Sequence, residues 1–115
     1  MNTRIIPKEY NYTAPQTLAE ALDILKQKNV RVLAGGTDLI VRLKMGSEEA
    51  METMLDIKRI PELKGIAYCE KGAHIGATTA LADIEENAEI IKNYPALRDA
   101  LVAMAAIAVR HMGTI

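Results

Sequence analysis

Two adjacent glycines, Gly35 and Gly36, place the strongest constraint on how this chain can fold. They follow a short β-branched stretch, Val30–Leu33, and they precede apolar residues at helical spacing from Asp38 to Met45. Because glycine lacks a Cβ atom, the backbone there can adopt a positive φ and can approach a ligand closely. The pattern therefore predicts a strand, a tight glycine turn and a helix whose first amides are unpaired.

A helix is also predicted before that strand, because Thr17 and Glu20 have the spacing of a capping box. Lys26 and Lys28 are expected in its last turn, where cations suit the helix dipole, and Asn29 is expected to stop it. Four apolar residues recur at the spacing of one helix face: Leu18, Ala21, Leu22 and Leu25. A further short strand is predicted over residues 54–57, so the order of elements is that of a parallel βαβ unit.

The pattern changes after Pro61. Residues 65–69 and 73–76, joined by a polar turn at 70–72, predict a β-hairpin. Either Thr78 or Thr79 is expected to cap a helix that begins at Ala80, and Pro95 is expected to start a last helix through about Val109. The predicted fold class is α/β (α+β), with a small parallel subdomain over residues 1–60. The start of an antiparallel subdomain with helices follows over residues 61–115.

The unpaired amides of Thr37, Asp38 and Leu39 suit a phosphate or pyrophosphate, because they lie at the positive end of a helix. The segment has neither the Gly-x-Gly-x-x-Gly of dinucleotide-binding folds nor the Gly-Lys-Ser/Thr of a P-loop. On spacing alone, such a glycine turn is more often a simple tight connection, so both interpretations stay open.

Composition excludes several other classes of function. The net charge is −1, and acidic and basic residues are mixed along the 115 residues, so no nucleic-acid partner is expected. The single cysteine, Cys69, excludes an internal disulfide and a multi-thiolate metal site. The N-terminus lacks the apolar stretch of a signal peptide, and the longest apolar run, residues 100–109, is too short to span a bilayer. A cytoplasmic protein without a membrane segment is expected.

Two histidines, His74 and His111, have no carboxylate or thiol at ligand spacing, so no metal site is predicted. Cys69 is expected to be a small, half-buried strand residue. Glu85 and Glu86 are expected at a solvated helix edge.

The stretch from Val32 to Lys44 resembles the first flavin motif of the FAD-binding (medium) subunits of molybdenum hydroxylases. That family includes carbon monoxide, nicotinate and xanthine dehydrogenases. Three further blocks agree with the family in order and spacing: residues 56–66, 75–79 and 110–115. The resemblance therefore spans nearly the whole chain and implies the N-terminal portion of a two-subdomain FAD-binding fold of the PCMH type, truncated.

The resemblance also implies a function. Such a subunit passes electrons from iron–sulfur clusters through FAD to an acceptor. The molybdenum cofactor lies in a large partner subunit and the iron–sulfur clusters lie in a small one. The flavin is the reactive group, so no catalytic residue is expected in this chain. The residues implied to bind FAD are Arg31, Val32, Leu33, Ala34, Gly35, Gly36, Thr37, Asp38, Leu39, Gly113, Thr114 and Ile115.

The chain departs from the family pattern at its end. The second flavin motif of the family continues with Gly-Gly-Asn, whereas this sequence stops at Ile115. An alternative hypothesis is therefore a folded fragment that no longer binds FAD, has no activity alone and self-associates through the apolar run 100–109. Residues 104–109 are also more apolar and more helical in character than the matching stretch in relatives. Arg110 is expected either to approach the flavin phosphates or to form a structural ion pair, and Tyr68 and Tyr94 either to approach the flavin ring or to pack.

Overall fold

A computed structural model describes residues 9–46, 50–104 and 106–115. The chain divides into two compact units, Met1–Glu62 and Leu63–Ile115. Within the described ranges, no helix has the length and apolar character needed to cross a membrane.

The first unit is a three-stranded parallel sheet with two connecting helices. Its elements, in chain order, are β1 (Asn11–Thr13), α1 (Leu18–Leu25), β2 (Val30–Leu33), α2 (Leu39–Lys44) and β3 (Thr53–Asp56). The central strand β3 pairs in parallel with both β1 and β2, which gives the strand order β1-β3-β2. The predicted parallel unit is confirmed, and its interior is filled by aliphatic side chains that are buried: Ala21, Leu33, Leu43, Met51, Leu55 and Ile60.

Helix α1 begins as predicted but ends earlier. The Thr17 side chain caps it by accepting a hydrogen bond from the Glu20 amide at 3.2 Å. The helix ends at Leu25, so the expectation that Lys26 and Lys28 lie in its last turn is wrong. The physical reason lies at Asn29, which has a φ of 60° and whose carbonyl accepts hydrogen bonds from the backbone at the start of β3. The helix therefore ends before Asn29, where the backbone turns into the sheet.

The second unit opens with the predicted hairpin. Strands β4 (Ile66–Cys69) and β5 (Gly72–Ile75) are antiparallel, with Ile66 opposite Ile75. Four short helices follow: α3 (Leu81–Glu86), α4 (Ala88–Asn93), α5 (Pro95–Ala103) and α6 (Ile107–Met112). The core of this unit is the buried cluster Leu81, Ile84, Ile90 and Leu101.

The prediction that Thr78 or Thr79 caps α3 is wrong, because Ala80 is the residue before this helix and no side chain caps it. The Thr78 hydroxyl donates to the Leu63 carbonyl at 2.8 Å. The Thr79 hydroxyl accepts from the Gly65 amide at 2.9 Å. Both threonines therefore fasten the start of the hairpin instead of the helix.

Gly76 explains why this junction needs a glycine. A Cβ atom at this position would lie 2.5 Å from the carbonyl carbon of Leu63 and 2.8 Å from the amide nitrogen of Lys64. No real side chain tolerates such contacts with backbone atoms. The block of residues 75–79 is thus the segment on which residues 63–65 are docked.

The single helix predicted from Pro95 to Val109 is wrong in its second half. Pro95 does begin α5, but that helix ends at Ala103, and Met104 is extended with a ψ of 127°. Ala105 lies outside the described residues, and α6 begins at Ile107. Apolar composition alone could not reveal this break. The carbonyls of Val102 and Met104 accept hydrogen bonds from a later arginine side chain, described below, instead of a helical amide.

Candidate functional site

The glycine turn joins β2 to α2 at the carboxyl edge of the parallel sheet. The predicted residues from Arg31 to Leu39 are brought together as one continuous strand, turn and helix start. Gly36 has a φ of +78°, and a Cβ atom there would lie 3.1 Å from Leu33 Cδ1. Both its backbone conformation and its crowding therefore favour glycine.

The amides of this turn are not used by the fold. Within the described part of the chain, the N–H groups of residues 35–39 donate to no protein acceptor. The Gly36 carbonyl accepts from the Ile40 amide at 3.1 Å, which closes the first turn of α2. Thr37 and Asp38 are exposed, and the Asp38 side chain makes no capping hydrogen bond. Because α2 has only 6 residues, its dipole contributes little to anion binding. The open amides are the main feature that makes this turn suitable for an anion.

A lysine from the neighbouring strand end holds the turn. Lys58 Nζ donates to the Ala34 carbonyl at 3.1 Å and lies 3.2 Å from Asp56 Oδ2. The Lys58 amide also donates to Asp56 Oδ1 at 2.9 Å. Asp56 is only 4% exposed, so this carboxylate is a fixed anchor at the end of the central strand.

Strand β1 supplies the remaining contact to Asp56. Tyr12, in β1, donates its hydroxyl to Asp56 Oδ2 at 2.5 Å. Burial raises the pKa of Asp56, but the hydrogen bonds from Tyr12 and Lys58 outweigh burial and leave that pKa lowered. The same hydrogen bond is the main reason why the pKa of Tyr12 is raised.

Sequence reasoning did not assign Tyr12, Asp56 or Lys58 to the site. A usable signal was present, because the carboxyl ends of parallel strands meet at one edge of the sheet, where ligands bind in open α/β folds. Asp56 ends β3 and Lys58 follows two residues later. That pattern could have found Asp56 and Lys58, but not Tyr12, which is the middle residue of β1.

The other predicted segment, Gly113–Ile115, lies in the second unit and is fixed by its backbone. Thr114 forms an isolated antiparallel bridge with Ala80. The Gly113 carbonyl accepts from the Leu81 amide at 2.8 Å, and the Ile115 amide donates to the Thr79 carbonyl at 3.3 Å. Gly113 is buried, whereas Ile115 is exposed.

Arg110 precedes that segment and forms a structural ion pair. Its Nε donates to Glu85 Oε2 at 2.8 Å, and its side chain is 8% exposed. Its guanidinium also donates to the Met104 carbonyl at 2.9 Å and reaches the Val102 carbonyl at 3.5 Å. The structural alternative is thus the one observed. The expectation that Glu85 is a solvated edge residue is wrong, because its side chain is only 22% exposed.

The remaining candidates show no chemistry of their own. Cys69 is exposed, which corrects the half-buried expectation, because it lies opposite Gly72 at the turn end of the hairpin. His74 and His111 are exposed. Among the described residues, no group of three or more potential metal ligands comes together.

The two tyrosines have structural partners. Tyr68 donates its hydroxyl to the Asn87 side chain, the same group that caps α4. Tyr94 packs against the core cluster of the second unit. The packing alternative agrees with the contacts of Tyr94, whereas the Tyr68 ring is 43% exposed.

Comparison with known proteins identifies the family. Residues 8–115 match the family described as the FAD binding domain in molybdopterin dehydrogenase. The chain belongs to this family. The resemblance stated from the four sequence blocks is confirmed.

Relatives in sequence and in structure agree with this assignment. The nicotinate dehydrogenase FAD-subunit of Eubacterium barkeri is 35% identical over 94% of this chain and 37% of its own length. The carbon monoxide dehydrogenase medium chain of Hydrogenophaga pseudoflava is 34% identical over 96% of this chain and 39% of its own length. A solved structure of carbon monoxide dehydrogenase from the same organism, lacking the Mo-pyranopterin moiety of the molybdenum cofactor, matches with a TM-score of 0.87 and 34% identity, covering 96% of this chain and 39% of that chain.

These matches confirm the mixed α/β fold class, with a parallel sheet followed by an antiparallel pair. The chain spans less than two fifths of the length of these relatives, 37% and 39% for the two curated subunits.

Proposed function

We propose that this chain is part of the FAD-binding electron-transfer subunit of a molybdenum-containing hydroxylase or dehydrogenase. In this proposal the subunit passes electrons from iron–sulfur clusters through FAD to an acceptor. The observation that carries it is the glycine turn, where consecutive amides are open within the described chain and where a Cβ atom at Gly36 would crowd Leu33. Family membership supplies the identity of the anion as the FAD diphosphate.

The residues divide into two groups. The turn residues 34–39 would bind the diphosphate through backbone N–H groups, with Arg31, Val32 and Leu33 leading into the turn. Gly113, Thr114 and Ile115 would form the opening of the second flavin motif. We assign residues 1–60 to the first FAD-binding subdomain and residues 61–115 to the N-terminal part of the second.

Bound FAD would supply the redox chemistry through its isoalloxazine ring. This chain binds and orients it, and no side chain is assigned an acid, base or nucleophilic role. The partners in this proposal are a large subunit with the molybdenum cofactor and a small iron–sulfur subunit, because relatives are medium chains or FAD-subunits by name. The proposed location is the cytoplasm.

The experiment is a titration of the 115-residue chain with FAD, followed by the visible spectrum and by flavin fluorescence. Bound-flavin bands at a ratio near 1:1 are expected. Riboflavin, which lacks both the diphosphate and the adenosine, is the comparison ligand and should bind at least tenfold more weakly, a difference of about 1.4 kcal/mol. Equal affinity for the two flavins would contradict the assignment of the turn.

A second candidate function is a folded fragment that self-associates and does not retain FAD. The observation in its favour is an apolar surface on and around α6. Ile107 is 67% exposed and Met112 is 66% exposed, and Val102, Met104, Val109 and Ile115 are exposed as well. Exposed apolar side chains in such number commonly mediate association when they adjoin one another.

Static light scattering tests this candidate. A concentration-dependent mass above that of one chain supports it, and Ile107→Glu should lower that mass. A monomeric mass at all concentrations, together with stoichiometric FAD binding, would leave only the first proposal.

A further inference from the structure

We propose that Lys58 is the positioning residue of the diphosphate-binding turn, and that Asp56 and Tyr12 hold it in place. This inference rests on the proposed function, because it concerns how the same turn is made competent. The lysine is not placed as a direct ligand of the cofactor. Its role is to orient the peptide that begins the turn.

The peptide bond between Ala34 and Gly35 is planar, which couples the direction of its carbonyl to that of its amide. The carbonyl of Ala34 and the amide of Gly35 belong to the same trans peptide, so the C=O and N–H bonds point in opposite directions within its plane. Lys58 Nζ holds that carbonyl at 3.1 Å. Fixing the carbonyl therefore fixes the direction of the Gly35 N–H, the first open donor of the turn.

An external support is needed because the local chain is permissive. Gly35 and Gly36 follow each other, and glycine has more accessible backbone conformations than any other residue. Within the described residues, no hydrogen bond from residues 35–39 themselves restrains those amides. The Lys58 contact to Ala34 supplies a restraint that the turn lacks.

The lysine is itself fixed, which distinguishes it from an ordinary surface cation. The Asp56 side chain is 6% exposed and receives hydrogen bonds from Tyr12 and from the Lys58 amide. By contrast, Lys26 and Asp23 form a pair at 2.9 Å whose side chains are 77% and 75% exposed. The two pairs have the same chemistry and differ in burial and in the contact with the turn.

Asp56 neutralises the charge of Lys58, and this makes it possible to distinguish a positioning role of the lysine from direct attraction of the anion. Because Lys58 is paired with a buried carboxylate, its net field at the turn is small compared with that of a lone ammonium. Removing Lys58 also uncovers the Asp56 carboxylate, whose repulsion of an anion is screened by salt, so a positioning role is recognised by a loss of affinity that persists at high salt. A direct charge contact would lose its contribution as the Debye length falls from about 30 Å at 0.01 M to about 3 Å at 1 M salt.

The variants are Lys58→Met, which retains the aliphatic stem, Lys58→Arg, and the matched control Lys26→Met. We expect Lys58→Met to weaken FAD binding about tenfold, and most of this loss should persist at high salt. Lys58→Arg should recover most of that affinity, and Lys26→Met should bind FAD like the parent chain. A loss that disappears at high salt, or equal loss in Lys26→Met, would overturn the inference.

A second measurement does not depend on FAD. Because the Gly35 and Gly36 amides donate no hydrogen bond to any described residue, their order is followed by 15N relaxation of the free chain, which reports backbone mobility directly. Lys58→Met should increase the mobility of both amides, while Lys26→Met should not. If the parent chain binds no FAD, the proposed function fails for this chain, but unchanged Gly35 and Gly36 amides in Lys58→Met would still overturn the positioning role. If FAD binds and Lys58→Met binds it equally, only the positioning role fails.

Discussion

The two segments that carry the family motifs are held in opposite ways. The glycine turn is fixed from outside by the Lys58 side chain, and its own amides stay open. Gly113–Ile115 is fixed by its own backbone, through the bridge to Ala80 and the hydrogen bonds around it. A turn whose N–H groups are open can receive an anion, whereas a bridged segment has already used most of them.

This difference sharpens the proposal for the second motif. The Gly113 amide donates to the Val109 carbonyl at 2.7 Å, and the Ile115 amide donates to Thr79. Thr114 is the one residue of the three whose amide is not engaged with another described residue. We therefore expect the Thr114 amide and hydroxyl to be the groups through which this segment contacts the cofactor.

The largest expected effect concerns the support of the second segment. Arg110→Met removes the ion pair with Glu85 and leaves that carboxylate and the Met104 carbonyl without this partner. Breaking a pair this well buried costs about 3 kcal/mol. The free energy of unfolding, measured by urea denaturation with circular dichroism, should fall by that amount.

The matched control is Arg98→Met, in the same unit. Arg98 lies 3.7 Å from Asp99, and both side chains are well exposed, so a change of about 0.5 kcal/mol or less is expected. If Arg110 supports only the second unit, the 15N relaxation of the Gly35 and Gly36 amides should not change. Greater mobility of those amides in Arg110→Met would contradict the separation between the two segments.

The next effect compares two glycines that share one backbone conformation. Gly36 and Gly46 both have a φ of +78°, but a Cβ atom at Gly46 would meet none of the described atoms within 4 Å. Gly46→Ala should therefore lose about 1 kcal/mol of stability, from the backbone conformation alone. Gly36→Ala adds the 3.1 Å contact with Leu33, so a loss of about 2 kcal/mol is expected.

The two variants should also differ in flavin affinity. Gly36→Ala displaces the open amides and should weaken FAD binding at least tenfold, whereas Gly46→Ala should leave the dissociation constant unchanged. Both are measured by the same fluorescence titration. Equal affinities in the two variants would show that the turn is not where the diphosphate binds.

The same contrast explains what the sequence could predict. Periodicity predicted β2, the glycine turn, α2 and the hairpin, because each depends on residues close together in the chain. The assignment of the glycine turn to a flavin family came from four ordered blocks, and no single block was specific enough. Local chemistry and pattern were sufficient for these parts.

The errors arose where distant residues decide the outcome. The α5–α6 break depends on Arg110 taking the carbonyls of Val102 and Met104, and no helical propensity in that apolar run reports it. The threonines of the hairpin junction were assigned to the nearest helix, although they bond residues 63 and 65. Lys58 was missed for the same reason, since it contacts Ala34, 24 positions earlier in the chain.

The smallest expected effect is a pH dependence at the carboxyl edge of the first unit. Asp56 faces Tyr12 and Lys58, with Arg59 close enough to act on Tyr12. Because the pKa of Asp56 is lowered below its ordinary value of 3.8, the folded state favours the carboxylate. Its contribution to stability is therefore complete above the unfolded pKa and is lost as the pH falls through the lower, folded value. Tyr12 keeps its proton throughout this range, since its pKa is raised.

Asp56→Asn removes this titration, so its stability should decline less steeply with acid than that of the parent chain, below about pH 5. Urea midpoints measured between neutral pH and about pH 3 give both slopes. Asp23→Asn is the matched control, because Asp23 is 75% exposed and paired with Lys26 at the surface, so its urea midpoint at neutral pH should stay close to that of the parent. At neutral pH, Asp56→Asn should also weaken FAD binding in the same direction as Lys58→Met, since Lys58 then loses its anchor. If stability declines with acid as steeply in Asp56→Asn as in the parent chain, the buried carboxylate is not what holds Lys58. The glycine turn would then not be held from outside in the way that its contrast with Gly113–Ile115 requires.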